Sequence, residues 1–145
     1  MQKFKNIIKE NIFYHLYDLG ILVLRTIPSF YLFYNHGLGK LTNGVSSWES
    51  LGKAAMPLVG INIGYEFFGF LAAFSEGFLS ILVLFGFWAR FSSVLISITM
   101  FFAGLYHLVA GESAELAFIY LSIYISIILI GPGRYSIDYY FLEKN

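Results

Sequence analysis

Residues 18–40 read DLGILVLRTIPSFYLFYNHGLGK. About 20 mostly apolar residues are enough to cross the hydrocarbon core of a bilayer as a helix. The stretch therefore reads as a membrane span that carries Arg25 roughly two turns in and ends in His-Gly-Leu-Gly-Lys. A cation at that depth costs on the order of 3 kcal/mol, so the rest of the chain has to supply its partners.

Composition agrees with that reading. Of 145 residues, 58% are hydrophobic, 20% aromatic and 12% charged, against about 25% charged in ordinary soluble domains. The net charge is zero and there is no basic stripe, which argues against nucleic acid as a partner. With no cysteine, the chain itself performs no thiol–disulfide chemistry and holds no zinc-thiolate or iron–sulfur site. No cleavable signal peptide is evident. Lys3, Lys5 and Lys9 alternate with apolar residues ahead of the first span. That segment reads either as a basic amphipathic stretch on an anionic leaflet or as a solvated terminus.

The pattern predicts an all-α fold, a four-helix transmembrane bundle with a short interfacial helix between spans one and two. The whole chain, 1–145, is one domain, with spans at about 17–36, 65–87, 91–110 and 114–130. In span one, Asp18, Arg25 and His36 fall on one face, with Pro28 on the same side. The connection from Gly37 to Gly64 is too long to be purposeless. Ser46-Ser47-Trp48-Glu49 resembles a helix start, placing the interfacial helix near Trp48 to Ala55. Span two carries a stripe of Gly69, Ala73, Glu76 and Ser80, span three one of Ser93, Ser97, Met100, Gly104 and His107, and span four one of Glu115, Ser122 and Ser126. Ser113 is a plausible cap for span four. Lipid offers these stripes no partners, so they are expected to face one another. The tyrosines within the spans read mainly as interfacial belt residues. Basic residues cluster at one end (Lys3, Lys5, Lys9, Arg90, Arg134, Lys144), with Lys40 and Lys53 at the other. This predicts a multi-pass protein of the cytoplasmic (inner) membrane with both termini cytoplasmic.

Several of these residues together resemble the DoxX family of small integral membrane proteins. They are Leu24-Arg25, His36-Gly37-Leu38-Gly39-Lys40, Glu76, Gly86 with Arg90, Glu115 in Glu-Leu-Ala, and the motif Gly131-Pro132-Gly133-Arg134-Tyr135-Ser136-Ile137-Asp138. The terminal motif is the most specific part. Two positions depart from the family pattern: Ser29 stands where glycine is frequent, and Leu79-Ser80 stands where a glycine pair is frequent. The family takes its name from a subunit associated with quinone-linked oxidation of sulfur compounds. The resemblance therefore implies a small subunit beside a redox complex, with quinone as the lipophilic cofactor in view. Most members have no assigned activity.

Two constellations are candidates for a site. Arg25 lies about 12 Å from the start of its helix and Glu76 about 16 Å from the corresponding end of the antiparallel span two. The two are expected to form an intramembrane charge pair, either a structural ion pair or a ligand anchor or proton step. At the other end, His36, Lys40, His107 and Glu115 are candidate ligand-binding residues, either forming a hydrogen-bonding pocket or tying helix ends together. Two histidines and a carboxylate are metal-ligating types, but no HxxxH or ExxH pair supports a metal site, and none is assigned. The terminal motif follows a helix C-terminus, whose dipole is the wrong sign for an anion, and reads as a helix stop with interfacial anchoring. No nucleophile–base arrangement is visible, so catalysis by the chain alone is not expected. Three functions stay open: a subunit of a quinone-linked redox complex, a membrane assembly or scaffolding factor that holds a partner protein, and a small transporter or proton pathway.

Overall fold

The computed structural model describes the backbone of residues 2–143 and the side chains of residues 13–141. The side chains of Lys3, Lys5, Lys9 and Lys144, and with them the basic amphipathic reading of the N-terminal segment, lie outside the described residues. The described chain is helical without strands. Helix α1 (Gln2–Leu32) passes through a π turn (Phe33–Gly37) into α2 (Leu38–Thr42), so the first rod continues beyond the expected end at His36. Gly44, with φ of +77°, breaks it. Helix α3 (Val45–Ala55) follows, then a 3-10 turn (Met56–Val59). The second rod is α4 (Tyr65–Phe74), a π turn (Ser75–Leu79) and α5 (Ser80–Phe85). Helices α6 (Ala89–Val109) and α7 (Glu115–Ile130) complete the bundle. A final π turn, Tyr139–Glu143, ends the described chain.

Three stretches are long and apolar enough to cross a membrane: Phe13–Thr42, Tyr65–Phe85 and Ala89–Val109. α7 is equally apolar but has 16 residues, just short of the usual range. The four spans expected from the sequence are thus three by length, with α7 packed antiparallel along α6.

Burial is arranged as lipid requires. Phe30, Phe67, Phe78, Phe101 and Leu129 face outward, while Arg25, Ser29, Glu76, Ser80, Ser92 and Ser93 are buried. Leu32, Leu79, Val83, Ile96, Met100, Tyr120, Tyr124 and Ile127 form the apolar core between them. The stripes expected on the second and third spans do turn inward, His107 excepted. The stripe expected on the fourth does not. Glu115 and Ser122 are exposed, and α7 buries Ala117, Tyr120, Tyr124 and Ile127 instead. The reason is local: Ser122 donates to the Phe118 carbonyl and Ser126 to the Ser122 carbonyl, both at 2.8 Å, so neither hydroxyl needs a partner from another helix. Tyr120 and Tyr124 are accordingly core residues rather than belt residues.

Helix α3 is packed against α4 rather than lying apart. A Cβ on Gly52 would meet the Tyr65 backbone and one on Gly69 the Trp48 backbone, so the two helices touch main chain to main chain. The expected serine caps are not used. Gly44 precedes α3 and Ala114 precedes α7, neither with a side-chain cap bond.

Candidate functional site

The two π turns face each other. A Cβ on Gly37 would collide with the Glu76 carbonyl and Gly77 Cα, and one on Gly77 with the Leu41 side chain. Glycine at both positions is what allows this approach. A π turn inserts one residue into a helix and frees carbonyls from the usual ladder. Here the Ser80 hydroxyl takes them up, reaching the Glu76 oxygen at 2.6 Å and the Gly77 oxygen at 2.7 Å. That is the work of the serine that replaces one of the family's frequent glycines. Ser29, the other departure, shares a 3.1 Å hydrogen bond with the Tyr124 hydroxyl deep in the core.

Glu76 is 2% exposed. Lys40, three residues beyond Gly37, donates from Nζ to both of its carboxylate oxygens at 2.6 Å. The Lys40 side chain keeps 26% of its surface exposed, so the pair is sealed on the carboxylate side and reachable on the ammonium side. Trp48 Nε1 donates to the Lys40 carbonyl at 2.8 Å, which fixes the end of the first rod against α3. The His36 ring meets Tyr120 edge-on, with centroids 6.2 Å apart.

Arg25 therefore does not pair with Glu76, as the sequence reading expected. Its guanidinium donates from one nitrogen to the Val83 and Leu84 carbonyls, at 2.9 and 2.7 Å, and from the other to the Tyr135 carbonyl at 2.8 Å. The depth comparison failed because Arg25 reaches the end of α5, where the last carbonyls are open to a further donor and the dipole is negative. Glu76 lies about two turns further along that rod.

The terminal motif supplies the rest of this inner knot. The Asp138 carboxylate accepts from the Trp88 and Ala89 amides at 2.8 and 2.9 Å, capping α6. It also holds Trp88 at φ of +48°, a conformation non-glycine residues rarely adopt. Asp138 N–H donates to the Gly86 carbonyl at 2.8 Å. The motif is more than a helix stop, since it wraps the α5–α6 turn and gives Arg25 its third acceptor. Outside the spans, Arg134 lies over the Tyr139 ring. Hydrogen bonding to Tyr139, reinforced by that residue's charge and by Asp18, raises the Arg134 pKa above its ordinary value.

The outer constellation divides. His36 and Lys40 remain near the π turns, whereas His107 Nδ1 pairs with Glu112 at 2.8 Å across the α6–α7 turn. Glu115 is exposed in the first turn of α7, where a carboxylate suits the helix dipole. Among the described residues no hydrogen bond or ion pair joins His36 or Lys40 to His107 or Glu115, and no cluster of His, Asp and Glu suited to a metal occurs. Tyr120 and the two π turns are what the sequence reading missed. The glycine pair Gly37 and Gly77 was the available signal, since it sets the antiparallel register that brings Lys40 to Glu76.

No curated protein and no solved structure matches the chain. The family model described as DoxX matches residues 20–108, which span Arg25, both π turns and Lys40–Glu76 but stop short of the terminal motif. On that match, and with its long apolar helices, the chain is a membrane protein that belongs to the DoxX family.

Proposed function

We propose that this protein is a small subunit of the cytoplasmic (inner) membrane that serves a quinone-linked redox complex. In this reading α7 spans with the other three rods and both termini are cytoplasmic. A lipophilic headgroup is received beside Lys40, Glu76 and His36. The observation that carries the reading is the Lys40–Glu76 pair, a bidentate charge pair built where two π turns meet and open on its ammonium side. Breaking such a pair is costly, and π turns are frequent at functional sites.

The donor set suits a quinone. Lys40 can turn one of its three N–H donors to a carbonyl while Glu76 keeps the others. His36 offers ring nitrogens that can donate or accept a hydrogen bond. Tyr120 holds the imidazole edge-on. A bound quinone would supply two-electron, two-proton chemistry, with electrons from the partner complex. This chain's residues would orient the ring and hold protons beside its carbonyl oxygens. Glu76 would hold the Lys40 ammonium in place.

The scaffolding reading has one observation in its favour. Glu76 and both terminal nitrogens of Arg25 find partners inside the chain, as a structural bundle requires. One experiment separates the two. The protein is purified in mild detergent with whatever accompanies it, and its quinone content and thermal stability are measured for wild type and His36→Leu. Loss of quinone with unchanged stability supports the redox reading. Equal loss of both, or wild-type protein that copurifies with a partner and no lipophilic ligand, supports the scaffold. Orientation is tested by cysteine labelling in this cysteine-free chain. Ser46→Cys should react with an impermeant reagent from outside the cell, and Tyr135→Cys should not.

A further inference from the structure

Two adjoining clefts open at the arginine end of the bundle, opposite Lys40–Glu76. The larger, about 600 Å³, is lined by His15, Phe85, Arg134, Tyr135 and Tyr139 among others. The smaller, about 190 Å³, is lined by Asp18, Arg90, Gly131, Gly133, Arg134 and Tyr139 among others. Arg134 and Tyr139 belong to both. We infer that these clefts bind the phosphodiester headgroup of an anionic membrane lipid.

Three observations carry the inference. The first is charge. The ion pairs of the described residues are Lys40–Glu76, Lys53–Glu49 and His107–Glu112, so among these residues neither Arg90 nor Arg134 has a carboxylate within 4.0 Å. Asp18 faces the smaller cleft and offsets one of the two cations. Asp138, the other nearby acid, is occupied by the Trp88 and Ala89 amides. Among the described residues the walls are left net positive, which outweighs the negative end of the α7 dipole. The second is position. Tyr14, Tyr17, Phe87, Trp88, Phe91 and Tyr135 are all exposed around this end. Such a ring of aromatics sits at the level of lipid headgroups. The third is shape. Gly131 has no side chain, and the Arg90 guanidinium lies against the space a Cβ would fill. The loop thereby brings Arg90 to the cleft that Arg134 also lines. Phe85 and Ile137 add apolar wall for the upper acyl chains. Guanidinium groups suit phosphate oxygens, which they can engage with paired N–H donors.

The test uses the full chain in mild detergent. Binding of phosphatidylglycerol and of phosphatidylcholine, each doped into the micelles, is measured by lipid retention and by the shift in unfolding temperature. The inference predicts preferential binding of phosphatidylglycerol. Arg134→Gln should weaken it about fivefold, and Arg90→Gln with Arg134→Gln about 25-fold, at roughly one factor of five per interfacial cation. Lys53→Gln, at the opposite end, should leave it unchanged. Arg134 is exposed, so if Arg90→Gln disturbs the loop the single Arg134 variant carries the test, given wild-type unfolding in phosphatidylcholine. Equal binding of the two lipids, undiminished binding in the Arg134 variant, or displacement by inorganic phosphate as effectively as by lipid would overturn the inference.

Discussion

Two buried charges, about two turns apart along the second rod, are neutralised by different chemistry. Arg25 is held by three backbone carbonyls and has no carboxylate in contact. Glu76 is held by a single lysine that remains partly exposed. The first arrangement spreads one cation over the end of α5 and the terminal motif, and it cannot be loosened without exposing carbonyls of both. The second concentrates everything in one pair, which a ligand can open from the exposed ammonium side. The difference teaches that buried charge alone does not mark a site. What matters is whether the counter-charge can move, and by that criterion the Lys40–Glu76 end is the functional candidate and the Arg25 knot a structural clamp.

The comparison can be broken by substitutions at either end. The largest effect is expected for Arg25→Leu, which takes the donor from the Leu84 and Tyr135 carbonyls and leaves the Val83 carbonyl with the Gly86 amide alone. At about 1–3 kcal/mol per unsatisfied buried group, the loss should be on the order of 4 kcal/mol in detergent unfolding. Lys40→Met comes next. It strands the Glu76 carboxylate and should cost about 3 kcal/mol. If Lys40→Met were neutral, the contrast between the two charges would disappear.

Smaller changes sharpen the contrast. Gly37→Ala drives a methyl group into the Glu76–Gly77 backbone and should cost about 2 kcal/mol, with perturbation confined to the π-turn end. Asp138→Ala removes the α6 cap and should cost about 1–2 kcal/mol while leaving ligand retention near Lys40 unchanged. The exposed Glu49–Lys53 pair on α3 should contribute nothing measurable, so Lys53→Ala should unfold like the wild type.

The sequence carried the fold further than it carried the site. The all-helical class, approximate helix bounds and the inward stripes of the second and third spans follow from hydropathy and small-residue spacing. The first rod's continuation to Thr42 did not, because Gly37 and Gly39 read as helix breakers whereas Gly37 serves as a contact surface. The Arg25–Glu76 pairing failed because depth along a helix gives only an approximate register. Register is fixed by which backbones can touch, and here Gly37 against Gly77 shifts Lys40 into reach of Glu76. The outward turn of Ser122 and Ser126 was hidden because a serine bonded to its own helix no longer acts as a polar residue.

The central claim is that Glu76 is coupled to Lys40 and not to Arg25. A pair of double-mutant cycles measures this directly, with unfolding free energies in detergent for Lys40→Met, Arg25→Leu, Glu76→Gln and the two doubles that include Glu76→Gln. The account predicts a coupling of about 2 kcal/mol between Lys40 and Glu76, and additivity within about 0.5 kcal/mol between Arg25 and Glu76. Strong coupling of Arg25 with Glu76, or additivity of Lys40 with Glu76, would contradict it.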